Sequence, residues 1–194
     1  MTEPGRLFLA RHGATEWSEA GKHTSTTDVS LTPEGEADAA ALRPVLKQQS
    51  YALVLTSPSR RARRTAELAG FPNATVDDDL VEWGYGDYEG ITTDEIRETV
   101  PGWTVWTHPS PGGETPEQVT ERLDRVIARV RDVQGDTLAV AHGHCLRALA
   151  ARWLGFEVSY GQYFELGTAT ISILGEDRGV PSIEQWNAPV SSRA

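Results

Sequence analysis

Four short segments of the sequence carry groups able to move a phosphoryl unit. Arg11-His12-Gly13 sets a planar guanidinium fork beside an imidazole, followed by a glycine that admits close backbone approach. His142-Gly143-His144 supplies a further imidazole able to hydrogen-bond a phosphoryl oxygen and stabilise charge in transfer. Between them, 56–66 reads Thr-Ser-Pro-Ser-Arg-Arg-Ala-Arg-Arg-Thr-Ala, with four arginines in five positions. A helix beginning there offers free N–H groups and its dipole to an anion, and an inward-pointing arginine adds a charged clamp. The fourth segment, 79–90, is a turn-rich stretch of three glycines and two tyrosines that carries several acids, any of which could protonate a leaving oxygen. A histidine nucleophile, two arginines, a second histidine and an acid suffice for phosphoryl transfer without a metal.

Each segment also has a purely structural explanation. Arg11-His12-Gly13 would serve as a strand-terminating turn. The arginines would form a solvated face paired with surface carboxylates, a role expected for two or three of the four. Cys145 reads as a small packed residue. Trp17, Trp83, Trp103 and Trp106 could cover a substrate, but core packing is expected for at least half of them. His23 and His108 fall in loops, and only His23 is a candidate to face substrate.

The elements that must position these groups alternate along the chain. Apolar runs at 6–10, 51–56 and 137–141 each stop at polar residues, as buried parallel strands do. Helical stretches are expected at 33–49, 59–69, 115–133 and 145–154. The clearest starts at Thr115-Pro116-Glu117-Gln118, an N-cap, a first-turn proline and a capping box. It continues with an apolar stripe at Val119, Leu123, Val126, Ile127, Val130 and Val133. Short strands are expected at 160–166 and 169–174, an edge strand near 183–186, and a loose tail from about 188. This order predicts an α/β fold, a three-layer α/β/α sandwich with a mainly parallel central sheet, whose ligands bind beyond the carboxyl ends of the strands. The polar clusters lie at those ends.

Composition sets the outer bounds. A chain of 194 residues with 39% apolar and 24% charged residues fits one globular domain spanning 1–194. With 28 acidic against 18 basic residues, the formal net charge of −10 repels nucleic acid and anionic membrane surfaces. The single cysteine cannot close an internal disulfide, and neither a signal pattern nor a membrane-length apolar run is present, so a cytoplasmic protein is expected.

Taken together, the ordered motifs resemble the phosphoglycerate mutase-like histidine phosphatases over nearly the whole chain, from Leu7 to about Thr170. They are Leu9-Ala10-Arg11-His12-Gly13-Ala14-Thr15-Glu16-Trp17, Leu31-Thr32-Pro33-Glu34-Gly35, Ser57-Pro58 with Arg61-Ala62 and Thr65-Ala66, Glu82 with Tyr85-Gly86 and Glu89-Gly90, Gly113-Glu114-Thr115, and Ala141-His142-Gly143-His144. The resemblance implies that His12 becomes phosphorylated, that Arg11, Arg61 and His142 form the phosphate pocket, and that Glu82 is the general acid or base. It further implies substrate contacts from Thr15, Thr24, Ser25, Tyr85 and the Gly143 N–H, no cofactor or metal, a small phosphorylated metabolite as substrate, and a possible homodimer.

Segments 21–28 and 77–90 look like the bacterial acid phosphatases of the family and its sugar bisphosphatases, which implies a phosphomonoesterase with water as acceptor. The glycolytic mutases differ: Ser18 stands where they carry asparagine, Thr93 where they carry lysine, and 99–113 is too short for their carboxylate-gripping insertion. Ser25 also replaces a common glycine. Three alternatives remain: a mutase; a metallohydrolase built on His12, His23, His142 and His144, which the fixed positive charge of Arg11 and Arg61 opposes; and a phosphate-binding regulatory module without turnover. The loops 18–28 and 92–113 are the expected specificity walls.

Overall fold

A computed structural model describes residues 5–190. The strands are β1 (Leu7–Arg11), β2 (Leu53–Thr56), β3 (Thr75–Val76), β4 (Thr137–Ala141), β5 (Thr170–Asp177) and β6 (Val180–Pro189). They form one sheet in the order β3-β2-β4-β1-β5-β6. The first four run parallel, while β5 and β6 add an antiparallel edge. Helices α1 (Glu16–Glu19), α2 (Pro33–Ala41), α3 (Arg43–Leu46), α4 (Arg60–Leu68), α5 (Thr93–Thr99), α6 (Pro116–Arg131) and α7 (Gly143–Trp153) complete the main elements.

Strand alternation divides the core between two faces. From β1, Leu7 and Leu9 pack with Leu123 and Val126 of α6 and Leu146 and Leu149 of α7. Phe8 and Ala10 face the opposite way, onto Leu42, Leu46 and Ala66 beside α2, α3 and α4. Both faces are apolar because both are covered, which is why the strands read as continuous hydrophobic runs. The α6 N-terminus has the expected capping box, with Thr115 accepting from the Gln118 N–H and Gln118 accepting from the Thr115 N–H.

Several boundaries differ from expectation. The single helix at 33–49 is broken into α2 and α3, because Pro44 has no N–H to bond the carbonyl one turn back. The strand expected at 160–166 is instead a 3-10 turn, Val158–Tyr163, whose Gly161 packs against Trp106 and accepts from Arg147. The β6 strand extends well beyond 183–186 and still pairs Pro189 with Thr170 where a loose tail was expected; residues 191–194 lie outside the described part. β3 has two residues, too few for any periodicity to reveal. Among the described residues no helix is long and apolar enough to cross a membrane.

One backbone contact seats the loop that follows β1. A Cβ on Gly13 would lie 2.1 Å from the Gly35 carbonyl oxygen, and one on Gly35 would lie 2.2 Å from that of Ala14. The start of α2 and the end of β1 therefore touch backbone to backbone. Helix propensity alone would make Gly35→Ala stabilising by about 1 kcal/mol, whereas the contact predicts a loss of about 2 kcal/mol. Urea unfolding of the variant distinguishes the two signs.

Candidate active site

The parallel pairing of β1 with β4 brings Arg11 level with Ala141, so the next residue of each strand leaves the sheet side by side. The His12 N–H extends the ladder to the Ala141 carbonyl at 2.9 Å, and the rings of His12 and His142 meet edge to face with centroids 5.2 Å apart. His12 Nδ1 lies 2.8 Å from the Gly13 carbonyl. A carbonyl oxygen only accepts, so Nδ1 carries the proton and Nε2 keeps its lone pair. Burial, then the charges of Arg11 and Arg61, hold this imidazole well below its ordinary range, so it is neutral at pH 7.

Two guanidinium groups flank the histidines, each held by carbonyl acceptors rather than by a carboxylate. Arg11 donates to the Leu166 carbonyl at 2.5 Å, while its buried Nε has no protein partner. A Cβ on Gly143 would stand 3.2 Å from the Arg11 Cζ, so glycine lets the guanidinium lie against the first turn of α7. Arg61, 1% exposed, donates to the carbonyls of Thr24 at 3.1 Å and Thr27 at 3.0 Å. Its Nε donates to His142 Nδ1 at 3.3 Å, which leaves His142 Nε2–H to donate to Ser57 Oγ at 2.7 Å. The other three arginines of the cluster stay outside. Arg64 pairs with Glu36 and Glu67, and Arg60 and Arg63 are exposed beside a hollow of about 770 Å³ that shares no residue with the histidine site.

Glu82 is the buried acid of the site. Its Oε1 accepts from the N–H groups of Trp83 at 2.8 Å and Cys145 at 2.7 Å, and its Oε2 accepts from His144 at 3.1 Å. His142, the N-cap residue of α7, makes no side-chain cap bond, so Glu82 caps that helix from a distant loop. Burial raises its carboxyl above the ordinary value, and the three N–H donors and Arg11 only partly reverse this.

A cavity of about 270 Å³ opens over these groups. Arg11, His12, Glu82, Thr15, Thr24, Tyr85 and Gly143 line it as the sequence suggested, whereas Arg61 and His142 are buried off its wall. Thr15 is occupied as the N-cap of α1. Ser25 departs from its expected place at the substrate: its N–H and hydroxyl both donate to Glu89, the hydroxyl at 2.5 Å. Glu89 also accepts from the Thr27 N–H at 3.0 Å and so fastens the loop that Arg61 holds from the other side.

Sequence reasoning leaves His144 unassigned and passes over Arg147, both on the cavity wall, while Lys22 and Thr93 on that wall come from the loops 18–28 and 92–113 expected to form it; the second loop contributes Thr93 alone. A helical period would have found Arg147, four positions after Gly143. His144 Nδ1 meets the Tyr85 hydroxyl at 2.6 Å, while the His23 ring leans on Tyr85 at a tilt of 44° with centroids 4.6 Å apart and is pushed down to about 4 by burial. Trp83, Trp103 and Trp106 are buried, and the last two also set ring edges against His23 and His144. His108 bonds Thr107 away from the cavity. Cys145 is buried, with its thiol pushed up to about 12 by burial, as expected of a packed residue. Among the described residues no three His, Cys, Asp or Glu side chains gather as a metal site.

Residues 7–189 match the model of the histidine phosphatase superfamily, branch 1, and the chain belongs to that family. It is similar to an acid phosphatase of Mycobacterium tuberculosis, 42% identical over 179 residues that cover 90% of this chain and 88% of the relative. It is also similar to the sedoheptulose 1,7-bisphosphatase of Saccharomyces cerevisiae, 37% identical over 79% of this chain and 69% of that one. The solved structure of open reading frame Rv3214 from Mycobacterium tuberculosis superposes with a TM-score of 0.93 at 40% identity, covering 96% of this chain and 99% of the other.

The Glu89 anchor has a signed pH dependence. Burial alone would raise its carboxyl, but hydrogen bonds from Ser25 and Thr27 more than offset that and hold it below the ordinary value. A depressed carboxylate adds stability above its unfolded value, and the gain is lost as pH falls through the folded one. Glu89→Gln is therefore expected to cost about 1 kcal/mol near pH ~7 in urea unfolding, with the gap to wild type closing toward pH ~3.

Proposed function

We propose that this protein is a metal-independent phosphate monoester hydrolase that works through a phosphohistidine. The observation that carries the reading is the buried, neutral His12, its tautomer fixed by Gly13, beside an Arg11 donor that lacks a protein partner. A buried unpaired donor calls for an acceptor, and a phosphate oxygen meets it with a charge-assisted hydrogen bond.

In the first step the His12 Nε2 lone pair attacks phosphorus in line. The bond to the ester oxygen breaks, its electron pair goes to that oxygen, and the Glu82 proton neutralises it. The phosphorylated imidazole is cationic, and the Gly13 carbonyl on Nδ1–H stabilises it. In the second step the Glu82 carboxylate takes a proton from water as the water oxygen attacks phosphorus, and the phosphorus–nitrogen pair returns to Nε2. Arg11 and the Gly143 N–H reach the oxygens in flight from the cavity wall, and Arg61 and His142, buried behind it, add their charge and dipole.

Water as acceptor is favoured over a second substrate hydroxyl by segment 99–113, which packs behind the cavity wall rather than lining it, the wall's own cations, Lys22 and Arg147, coming from other parts of the chain. Residues 99–113 hold no lysine or arginine, and they present Trp103 and Trp106 to His23 and His144. The cavity volume suits a small phosphorylated metabolite, the class to which the yeast relative's named substrate belongs. The reading includes a cytoplasmic setting, from the single buried Cys145, and neither nucleic acid nor membrane as partner, from the net charge of −10. A homodimer is carried from the family resemblance.

His12→Ala is expected to lower kcat by roughly 10⁴-fold or more and to abolish an acid-labile phosphoenzyme in rapid-quench labelling; label retained in that variant would remove His12 from the role. The pH profile of kcat should be a bell centred on the acid side. Its acid limb lies below the ordinary imidazole range because burial and the two arginines depress His12, and its alkaline limb lies above the ordinary carboxyl range because burial raises Glu82. Glu82→Gln should slow hydrolysis of a primary alkyl phosphate by about 10²-fold or more, and that of p-nitrophenyl phosphate, whose leaving group needs little protonation, far less. Equal losses on the two compounds would remove Glu82 as the acid.

A further inference from the structure

We propose that the Arg122–Glu114 pair, its arginine buried and its carboxylate half-buried, is a positioning device for Glu82, keying the 79–84 loop to the N-terminus of α7. The inference rests on the assignment of Glu82 as the acid and concerns residues that do not line the cavity.

Glu82 must meet two demands at once. Its carboxyl has to sit on the N–H groups that open α7, and it has to face the leaving oxygen above His12. These groups belong to separate parts of the chain, so their relative position has to be fixed by something that touches both. Arg122, from the middle of α6 and 5% exposed, does so. Its Nη1 donates to the Asp79 carbonyl at 2.8 Å, three residues before Glu82, and approaches Cys145 Sγ at 3.8 Å. Cys145 is the residue whose N–H holds Glu82 Oε1 at 2.7 Å. The same guanidinium grips Glu114 through two bonds, Nε to Oε1 at 2.8 Å and Nη2 to Oε2 at 3.0 Å.

Glu114 relays that grip to the far side of Glu82. Its Oε2 accepts from the Gly84 N–H at 2.8 Å, its carbonyl accepts from Trp83 Nε1 at 3.1 Å, and its N–H donates to the Gly84 carbonyl at 2.8 Å. The loop is thus pinned at 79 and at 83–84, on both sides of the acid, from one guanidinium. A planar fork can satisfy a carboxylate, a carbonyl and a thiol together, whereas a lysine offers a single point. Burying the Arg122 guanidinium costs desolvation that offsets much of its attraction to Glu114, so fixed geometry is the stronger reason for the pair's presence. Proton transfer tolerates displacements of only about 0.5 Å, within what a loosened loop would introduce.

The test is Arg122→Lys, with kcat measured across pH on a primary alkyl phosphate and on p-nitrophenyl phosphate. Phosphate release from both by the wild-type protein checks the hydrolase assignment, and only the ratio between them reports positioning. The variant is expected to lose tenfold or more on the alkyl ester, about a tenth of its rate remaining, and less than about threefold on the aryl ester. Its alkaline limb should shift to lower pH, because water reaching Glu82 relieves the burial that raises it. Glu114→Gln, which keeps an acceptor for Gly84 but not the charge, should show the same selective loss, and it replaces Arg122→Lys should that variant not fold. Equal losses on both esters with an unmoved alkaline limb would overturn the proposal and leave the pair a merely structural one.

Discussion

The parallel pairing of β1 with β4 is the constraint on which the rest of the site depends. It places His12 and His142 at the same level beyond the sheet, under cover of helices on both faces, where burial and two guanidinium groups keep both imidazoles neutral. A neutral imidazole with a defined tautomer can attack, and unpaired positive charge nearby awaits the anion that would be attacked. Were the strands antiparallel or one position out of register, the two rings would face different ends or different sides of the sheet.

The acid side of the site follows from the same topology. α7 starts immediately after His142, so its free N–H groups open toward the cavity over His12, and Glu82 occupies two of them. That contact serves folding and, in the proposed reaction, chemistry as well. It caps a helix that lacks a side-chain cap of its own, and it keeps a carboxyl in surroundings that favour its proton. The competition between burial and the N–H donors is won by burial, which leaves an acid poised above the ordinary carboxyl range.

Much of this was legible in the sequence, for identifiable reasons. Short apolar runs that end abruptly at polar residues read as buried strands, which places Arg11-His12 and His142-Gly143 at strand ends, and the capped, striped helix expected at 115–133 is found at Pro116–Arg131. Elements set by single contacts were not legible. Gly161 against Trp106 turns 158–163 away from a strand, and Pro44 breaks a helix that its neighbours would continue. Within the site, Arg61 was singled out by motif, but its grip on the 24–27 carbonyls depends on where a distant loop lies. Ser25 was assigned to substrate by position alone, and the competing carboxylate of Glu89, 64 positions away, decides its orientation. Side chains whose partner is remote in sequence carry no local signature, and Ser25 is one of these.

In the proposed reaction phosphorus is displaced twice, first by His12 and then by water. The stereochemical course at phosphorus tests this most directly. A phosphate ester made chiral with three isotopes of oxygen, transferred by the enzyme to an added alcohol in place of water, should give a product of retained configuration, because two in-line inversions cancel. Inverted configuration would mean direct attack by the acceptor and would contradict the phosphohistidine.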